Sequence, residues 1–278
     1  MSRIQSASSI NTYRQCPRKY YYSYKLELPK TESIHTLTGK AVHDTLEKFF
    51  KIPTSEITEE NYHFILKHHL LNLFNEAWMK SLIELIKLEN DKDTIRRFYQ
   101  DSLYMLEKFI TDYLSSLEKE LVKESFEKAI KKLKPQTEIY MQSEKYNVRG
   151  YIDAIIEIDG EVYIIDYKTS SKDEMTDDYQ LQLAIYAIMY QEKEGKLPNK
   201  LVLHFLRHGT KKFLEITSEL IEKAKKECEL IKINTVSNDI KDYEKNPGYY
   251  CKWRTGQCSF YELCYKGKKL DDYSKNNS

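Results

Sequence analysis

Two aspartates and a lysine have the types and spacing in this sequence that are best suited to chemistry. Asp153 and Asp166 flank Asp159-Gly160 within otherwise apolar runs, and Lys168 stands two positions after Asp166. An Asp-Gly pair between apolar runs is a strong signal for a β-hairpin with a two-residue turn, because both central residues of that turn need a positive φ. Such a turn pairs positions that are equally distant from it, so Asp153 is expected directly opposite Asp166.

Two carboxylates that face each other across a buried hairpin need a proton or a cation between them. The two Cβ atoms would be about 4.5–5.5 Å apart, where like charges repel and burial is costly. Apolar residues are expected to cover both faces of the hairpin, with Ile152, Ile156 and Ile158 on one side and Ile155, Val162 and Ile164 on the other. A buried like-charge pair then needs a shared proton or a cation, and Mg²⁺ or Mn²⁺ prefers oxygen ligands of this kind.

Lys168 completes a constellation that suits phosphodiester hydrolysis. Strand alternation puts its side chain on the same face as Asp166. A bound cation would polarise the phosphate and lower the pKa of a water molecule, while the ammonium group orients that water or offsets negative charge. Two alternatives stay open. Both aspartates could be edge residues that face water, or a longer loop or a bulge could shift the register by one residue and separate them.

The periodicity of the apolar residues predicts the elements that must position these three side chains. Helices are predicted at 8–24 and 39–51. The segment 58–133 contains no Gly or Pro and is predicted to form two or three long helices packed as a subdomain. After Pro135, strands are expected at 139–148, 150–158, 162–168, 201–207 and 212–216, with helices at 178–192 and 219–233. Strands on both sides of a crossover helix indicate an α/β sheet with mixed pairing.

Charge and aromatic composition limit how this chain could bind nucleic acid. The 44 Lys and Arg nearly balance the 43 Asp and Glu, so any attraction must come from local clusters of positive charge. One basic and aromatic cluster is formed by Arg14, Arg18, Lys19 and the tyrosines at 20–22. It could line the path of a DNA strand, or it could be a solvated helix face with tyrosine packed beneath it.

Targeting signals and cysteine usage indicate a compartment. No apolar run approaches the roughly 18 residues of a membrane span, and residues 1–13 lack the apolar segment of a signal peptide. The chain is therefore expected to be cytoplasmic, with no membrane partner and with reduced thiols. In that setting five cysteines indicate a metal or cluster site more than disulfides. Cys228 stands alone in an amphipathic helix and is expected to be a small buried residue.

An ordered set of short motifs extends from the N-terminal region to the helix after the hairpin. The set consists of Gly39-Lys-Ala-Val-His43, Gly150-x-x-Asp153, Asp166-x-Lys168 and Gln182-x-x-x-Tyr186. Together these motifs resemble the PD-(D/E)XK nuclease superfamily, in particular its RecB-like exonucleases and the CRISPR-associated RecB-like family. The resemblance covers nearly the whole chain, with 58–133 as its least assignable part. It implies a restriction-endonuclease-like fold and a DNA exonuclease that uses Mg²⁺ or Mn²⁺.

The resemblance also implies a role for each matching residue. His43, Asp153 and Asp166 would bind the metal together with the backbone carbonyl of Tyr167, and Lys168 would act on the attacking water. Gln182 and Tyr186, one helical turn apart, would position the DNA or the catalytic lysine. Taken alone, His43 would be interpreted as an ordinary histidine, and Gln182 and Tyr186 as part of a core-facing stripe.

Four of the cysteines resemble the iron–sulfur staple of the same families. Cys16, Cys251, Cys258 and Cys264 would hold a [4Fe–4S] cluster that ties the two ends of the domain together and needs no redox turnover. The sequence departs from the family pattern, because six residues instead of two separate Cys251 from Cys258. Residues 252–257 therefore contain a four-residue insertion. A cluster with a longer loop, a zinc site and reduced structural cysteines all stay open.

These interpretations predict a single nuclease domain over 1–278, with a helical insertion at 54–134, a catalytic sheet core at 138–216 and a cysteine-rich segment at 245–266. The expected substrate is single-stranded DNA or a duplex end. The alternatives are a non-catalytic DNA-end-binding or assembly module and a structure-specific endonuclease or junction resolvase. No Gly-x-x-x-x-Gly-Lys-Ser/Thr motif is present. Unwinding would therefore need a helicase, or a partner from recombination or CRISPR adaptation.

Overall fold

A mixed five-stranded sheet forms the centre of the structure, a computed structural model that describes residues 3–54, 57–89, 91–253 and 256–268. Its strands, in spatial order, are β1 (Gln136–Ser143), β2 (Val148–Ile158), β3 (Glu161–Lys168), β4 (Lys200–Phe205) and β5 (Thr210–Leu214). All neighbours are antiparallel except β3 and β4. A parallel pair needs a crossover, and helix α7 (Asp177–Glu194) provides it. The predicted α/β class with mixed pairing is confirmed.

The remaining helices cover both faces of this sheet. They are α1 (Ala7–Gln15), α2 (Pro17–Tyr20) with a π-helical turn (Tyr21–Lys25), α3 (Ile34–Phe49), α4 (Tyr62–Leu88), α5 (Lys92–Leu121), α6 (Phe126–Lys132), α8 (Ser218–Asn234) and α9 (Tyr261–Tyr265). A second small sheet pairs β6 (Lys252–Trp253) with β7 (Gly256–Gln257). No helix in the described part of the chain is both long enough and apolar enough to cross a membrane.

Several predicted elements have different bounds; the helix predicted at 39–51 begins five residues earlier as α3, and two other elements are interrupted or shortened. The helix predicted at 8–24 is interrupted at Cys16, which has extended backbone (φ −163°, ψ 110°) between α1 and α2. Pro17 then begins a new helix, where its missing N–H costs nothing. The strand predicted at 139–148 ends at Ser143, and a turn at 144–147 with Asn147 at φ +53° leads directly into β2.

Each face of the sheet has its own apolar core. Ile155, Val162 and Ile164 belong to the core under α1, α7 and α8, which also buries Cys228 as expected. Ala154 and Tyr167 belong to the second core, under α3–α6. The sheet is therefore covered on both sides, so a charged residue near its centre loses most of its contact with water.

The hairpin at Asp159-Gly160 has the predicted two-residue turn. Asp159 (φ +52°) and Gly160 (φ +81°) both lie in the left-handed region. The β2–β3 ladder runs from Ile158 opposite Glu161 to Ala154 opposite Ile165. This confirms the predicted register.

The expectation that Ile152 lies on the same face of the hairpin as Ile158 is wrong. Ile152 packs in the same core as Ile155, whereas Ile158 packs against the core on the other face. The sidedness of β2 reverses at Asp153. On β1, Glu138 has φ +50° and lies between the last regular pairs, Thr137 with Ala154 and Ile139 with Ile152. The irregular backbone of β1 at Glu138 therefore stands opposite the residue at which the sidedness of β2 changes.

Candidate active site

Asp166 stands near the end of β3 and is 3% exposed. Its Oδ1 accepts a hydrogen bond from Nε2 of Gln182 at 3.0 Å. Its Oδ2 lies 2.6 Å from the Lys168 ammonium nitrogen, an ion-pair contact without the direction of a hydrogen bond. Apart from this ion pair, the buried oxygen has no hydrogen-bond partner within the described residues. The Lys168 ammonium therefore compensates the burial of this oxygen, and a cation could do the same.

Gln182 on α7 connects the acidic and basic groups of β3. Its Oε1 accepts a hydrogen bond from Nζ of Lys168 at 2.9 Å, while its Nε2 donates to Asp166 and also to the Tyr186 hydroxyl at 2.8 Å. The ammonium group of Lys168 further lies 4.5 Å from the ring centroid of Tyr179. Gln182, Tyr186 and Tyr179 thus fix the Lys168 head group and one Asp166 oxygen from the same helix.

Asp153 is held at the bend of β2 between two elements. Its Oδ2 accepts a hydrogen bond from the backbone N–H of Tyr167 at 2.8 Å. Nδ1 of His43, on α3, lies 3.4 Å from the same oxygen. Helix α3 comes close to the end of β3, because a Cβ added at Gly39 would lie 3.1 Å from Oγ1 of Thr169. The structure therefore brings His43 and Asp153 together across a long sequence separation.

Burial and charge shift the protonation of these groups. Burial raises the pKa of Asp166 to about 6, the Lys168 ammonium opposes that rise, and the Asp153 carboxylate adds to it. Burial lowers the pKa of His43, but the Asp153 carboxylate beside it outweighs this effect, so that the pKa lies above its ordinary value. Burial raises the pKa of Tyr186, which keeps its hydroxyl protonated. The centre is thus a cluster of coupled charges with little access to water.

The residues at this centre fit a divalent cation in their chemistry. Asp166 supplies a buried oxygen whose partner among the described residues is the Lys168 ammonium, and Asp153 supplies a second carboxylate. Oxygen ligands of this type are the ones that Mg²⁺ and Mn²⁺ prefer. Over the described residues, however, no three His, Cys, Asp or Glu side chains are arranged around one point as metal ligands. His43, Asp153 and Asp166 are neighbours, and the Lys168 ammonium occupies the position beside Oδ2.

Glu138 is a residue of this centre that the sequence interpretation missed. It lies on β1 at the position that faces Asp153, and its pKa is raised first by burial and then by the Asp153 carboxylate. His43 acts on it in the opposite direction. The unusual positive φ of Glu138 is a conformational cost that sequence periodicity does not reveal.

The four cysteines of the predicted staple line one small cavity. Cys16 comes from the break between α1 and α2, and Cys251, Cys258 and Cys264 come from the C-terminal region. All four are free thiols. The thiols are neighbours but, among the described residues, they are not arranged as metal ligands.

The widened gap between Cys251 and Cys258 is closed by the β6–β7 hairpin. Lys252 pairs with Gln257, and the N–H of Cys258 donates to the carbonyl oxygen of Cys251 at 2.9 Å. The two cysteines therefore stand opposite each other at the base of this hairpin. Residues 254 and 255 lie outside the described residues. The longer gap is thus compatible with two cysteines that remain side by side.

The tyrosines of the basic and aromatic cluster near the N-terminus do not form an exposed surface on which bases could stack. The tyrosines at 20–22 are buried, and their rings contact Tyr243 and Phe260. Arg18 donates to the carbonyl oxygen of Tyr243, and Arg14 is paired with Asp177 and Asp178. These tyrosines are part of the core, and their burial attaches the C-terminal segment to the first helices.

Known proteins match parts of this chain. The CRISPR-associated exonuclease Cas4 of Francisella tularensis subsp. novicida is 33% identical over 125 residues, which are 45% of this chain and 59% of that protein. One subunit of an ATP-dependent helicase/deoxyribonuclease from Clostridium perfringens is 28% identical over 206 residues, 65% of this chain and 17% of that protein. The chain therefore spans less than two thirds of the length of these relatives.

Fold and family comparisons cover more of the chain. The crystal structure of a protein named as an exonuclease from Eubacterium rectale matches with a TM-score of 0.50 and 11% identity over 94% of this chain and 92% of that one, which concerns the fold alone. A family model for the PD-(D/E)XK nuclease superfamily matches residues 5–265. That range includes the hairpin carboxylates, Lys168, Gln182 and all five cysteines, and so the chain belongs to the PD-(D/E)XK nuclease superfamily.

Proposed function

We propose that this chain is a Mg²⁺- or Mn²⁺-dependent deoxyribonuclease that acts as an exonuclease on single-stranded DNA or duplex ends. The observation that carries the proposal is the joint fixation of Asp166 and Lys168 by Gln182, beside a second carboxylate on Asp153. A structural ion pair has no need for two nearby carboxylates in a buried place, since each raises the cost of ionising the other.

Each side chain of the site has its own role in the proposed reaction. His43, Asp153, Asp166 and the backbone carbonyl of Tyr167 would hold the cation. When bound, the cation supplies charge stabilisation and a more acidic water molecule. Lys168, held by Gln182 and the Tyr179 ring, presents a fixed ammonium group to the attacking water or to the developing charge on the phosphate. Tyr186 stays protonated and holds the Gln182 amide.

The assay that tests this proposal uses end-labelled single-stranded DNA with Mg²⁺, with Mn²⁺ or with a chelator. Wild type should release mononucleotides or short oligonucleotides only when metal is present. Asp166→Ala and Lys168→Ala should each lose at least about a hundredfold in rate, the scale on which electrostatic catalytic groups act. Lys196→Ala, at an exposed position after α7, is the control and should retain full activity.

Two further results of this assay would change the proposal. Equal cutting by wild type and both active-site variants would show that the site is misassigned, and no cutting by folded wild type with either metal would favour a DNA-end-binding module. Comparison of circular with linear single-stranded DNA separates cleavage from an end from cleavage within the strand. Cutting of the circle would favour the endonuclease alternative.

The four cysteines that line one cavity are proposed to hold a [4Fe–4S] cluster that joins the ends of the chain. The hairpin at Cys251 and Cys258 supports this, because it places the two thiol-bearing residues side by side in spite of the longer gap. Thiolate ligands suit iron–sulfur clusters and zinc alike. The role of the cluster would be structural, because it would connect Cys16 near the N-terminus to Cys264 near the C-terminus.

The proposed organisation is a nuclease domain with a helical insertion at 54–134, a sheet core at 138–216 and a cysteine-rich segment at 245–266. The relatives are named as a CRISPR-associated exonuclease and as a subunit of a helicase/deoxyribonuclease. Partners that unwind DNA or take part in CRISPR adaptation or recombination are therefore proposed for this chain too. A partner would also supply processivity.

A further inference from the structure

A cavity of about 300 Å³ lies beside the candidate active site, between α3, α5 and the loop after β3. Thr169, which follows Lys168 directly, forms part of its wall, and α3 rests on this residue at Gly39. The volume is at the small end of the roughly 300–1,000 Å³ found for small-molecule sites. It is suited to a unit about as large as one nucleotide.

The lining of this cavity combines an aromatic surface with hydroxyl groups. His35 on α3 and Phe98 on α5 are in edge-to-face contact, with ring centroids 4.9 Å apart. Residues 169–171 contribute three side-chain hydroxyls, and the buried residues Thr38 and Ser102 contribute two more. An aromatic face accepts any of the four bases by stacking, and hydroxyls can donate to or accept from sugar and phosphate oxygens.

Arg207 gives the cavity a positively charged donor group. Its Nη1 donates to Oδ2 of Asp101 at 2.9 Å, which orients the guanidinium group. Its Nε is buried and lies out of reach of a ligand in the cavity, so a bound oxygen would accept from a guanidinium Nη. Guanidinium groups are well suited to phosphate oxygens.

We propose that this cavity receives the terminal nucleotide of the DNA strand being cut, with its base against Phe98 and an oxygen of its phosphate accepting from Arg207. The inference rests on the proposed function and adds how the end of the strand is recognised. A site for one nucleotide next to Lys168 lets the enzyme count inward from an end, whereas a continuous internal strand has no free nucleotide to place there.

The cutting experiment pairs a change in the substrate with a change in the protein. Short single-stranded oligonucleotides carry an abasic residue at the 5′ end, at the 3′ end or in the middle. For wild type, loss of the base at the recognised end should slow the first cut about tenfold, as expected for one stacking contact, and an internal abasic residue should have no effect. Phe98→Ala should cut intact and abasic ends at equal rates. Phe64→Ala, at an exposed position on α4, should behave as wild type.

A binding measurement keeps this inference separate from the proposed nuclease activity. Wild type in chelator is titrated with thymidine 5′- and 3′-monophosphate, and binding is followed by protein NMR. Phe98→Ala and Arg207→Gln should each weaken binding at least about fivefold, the loss expected for a stacking or charged hydrogen-bond contact. Arg96→Gln, which lies on α5 outside the cavity lining, should leave it unchanged.

The outcomes of the two experiments are distinguishable. An enzyme that cuts DNA, but cuts intact and abasic ends equally or keeps its preference in Phe98→Ala, would overturn the inference and leave the nuclease proposal standing. A wild type that cuts nothing would overturn the nuclease proposal, and the titration alone would then decide the inference. Absent binding, or binding unchanged by both substitutions, would refute the cavity as a nucleotide site.

Discussion

The carboxylate of Asp153 accepts a hydrogen bond from the backbone N–H of Tyr167 across the β2–β3 hairpin, at 2.8 Å. This bond stands one residue beyond the last regular pair of the ladder, Ala154 with Ile165. The Asp153 side chain therefore accepts the hydrogen bond from β3 at the point where the regular pairing of β2 with β3 ends. The position of Asp153 relative to Asp166 is consequently set by the backbone of β3 and by the register of the hairpin.

Gln182→Glu should separate the two functions of the Gln182 amide. The substitution keeps an oxygen for Lys168 but removes the donor to Asp166 and adds a negative charge beside it. We expect kcat to fall about 10- to 100-fold, as for other groups that orient metal ligands, with a smaller change in KM. Steady-state kinetics of DNA cleavage measure this, and Gln191→Glu, later on α7, is the control. A kcat within twofold of wild type would contradict the orienting role.

Glu138→Gln should weaken the affinity for the metal. The Glu138 carboxylate interacts with Asp153 and His43, and it adds negative charge where a cation is proposed. Removal of one such charge should cost about 1 kcal/mol, so the Mn²⁺ concentration for half-maximal activity should rise about fivefold. Thermal shifts with Mn²⁺ in the absence of DNA give a second measurement. Glu157→Gln, at an exposed position of β2, should change neither value.

His204 should make the stability of the fold depend on pH. Burial, together with Lys211, lowers its pKa to about 4, below the roughly 6.5 of an unfolded histidine. The unfolded state therefore binds a proton more readily, and stability that is present above about pH 6.5 is lost as the pH falls towards 4. The loss between pH 7.5 and pH 5 should be about 2 kcal/mol.

Urea unfolding of wild type and His204→Phe at both pH values measures this contribution. On acidification the free energy of unfolding of the variant should fall by about 2 kcal/mol less than that of wild type. The variant has no imidazole that is neutral in the folded state and protonated in the unfolded state. His68→Gln, at an exposed position on α4, should follow wild type. An identical pH dependence in wild type and His204→Phe would refute the assignment to His204.

The proposed cluster predicts a different result for four of the five cysteines. Cys16→Ser, Cys251→Ser, Cys258→Ser and Cys264→Ser should each lose most of the bound iron from anaerobically purified protein, because a Cys₄ site needs every thiolate. Cys228→Ser should retain it, since Cys228 is buried in α8 and does not line the cavity of the other four. Iron analysis and visible absorption give the measurement. A wild type that is folded, active and free of iron would exclude the cluster.

Local sequence determined the parts of this protein that depend on near neighbours. The turn at Asp159-Gly160 forms as predicted because Gly160, at φ +81°, and Asp159, at φ +52°, tolerate the left-handed region better than most residues. With that turn fixed, alternation set the partners along β2 and β3 up to Ala154. The crossover helix α7 followed from the change of period, which is also a local property.

Tertiary structure alone decided which distant residues meet. The contacts of His43 with Asp153, of Gln182 with Asp166 and Lys168, and of Cys16 with the C-terminal cysteines depend on how helices pack on the sheet. Periodicity reports which side of an element is apolar, and it says nothing about which element covers that side. For the same reason the tyrosines at 20–22 are buried, whereas Glu138 faces Asp153 through the register of β1 with β2. The motifs named the family, and the packing of α3 and α7 against β3 assembled the candidate site.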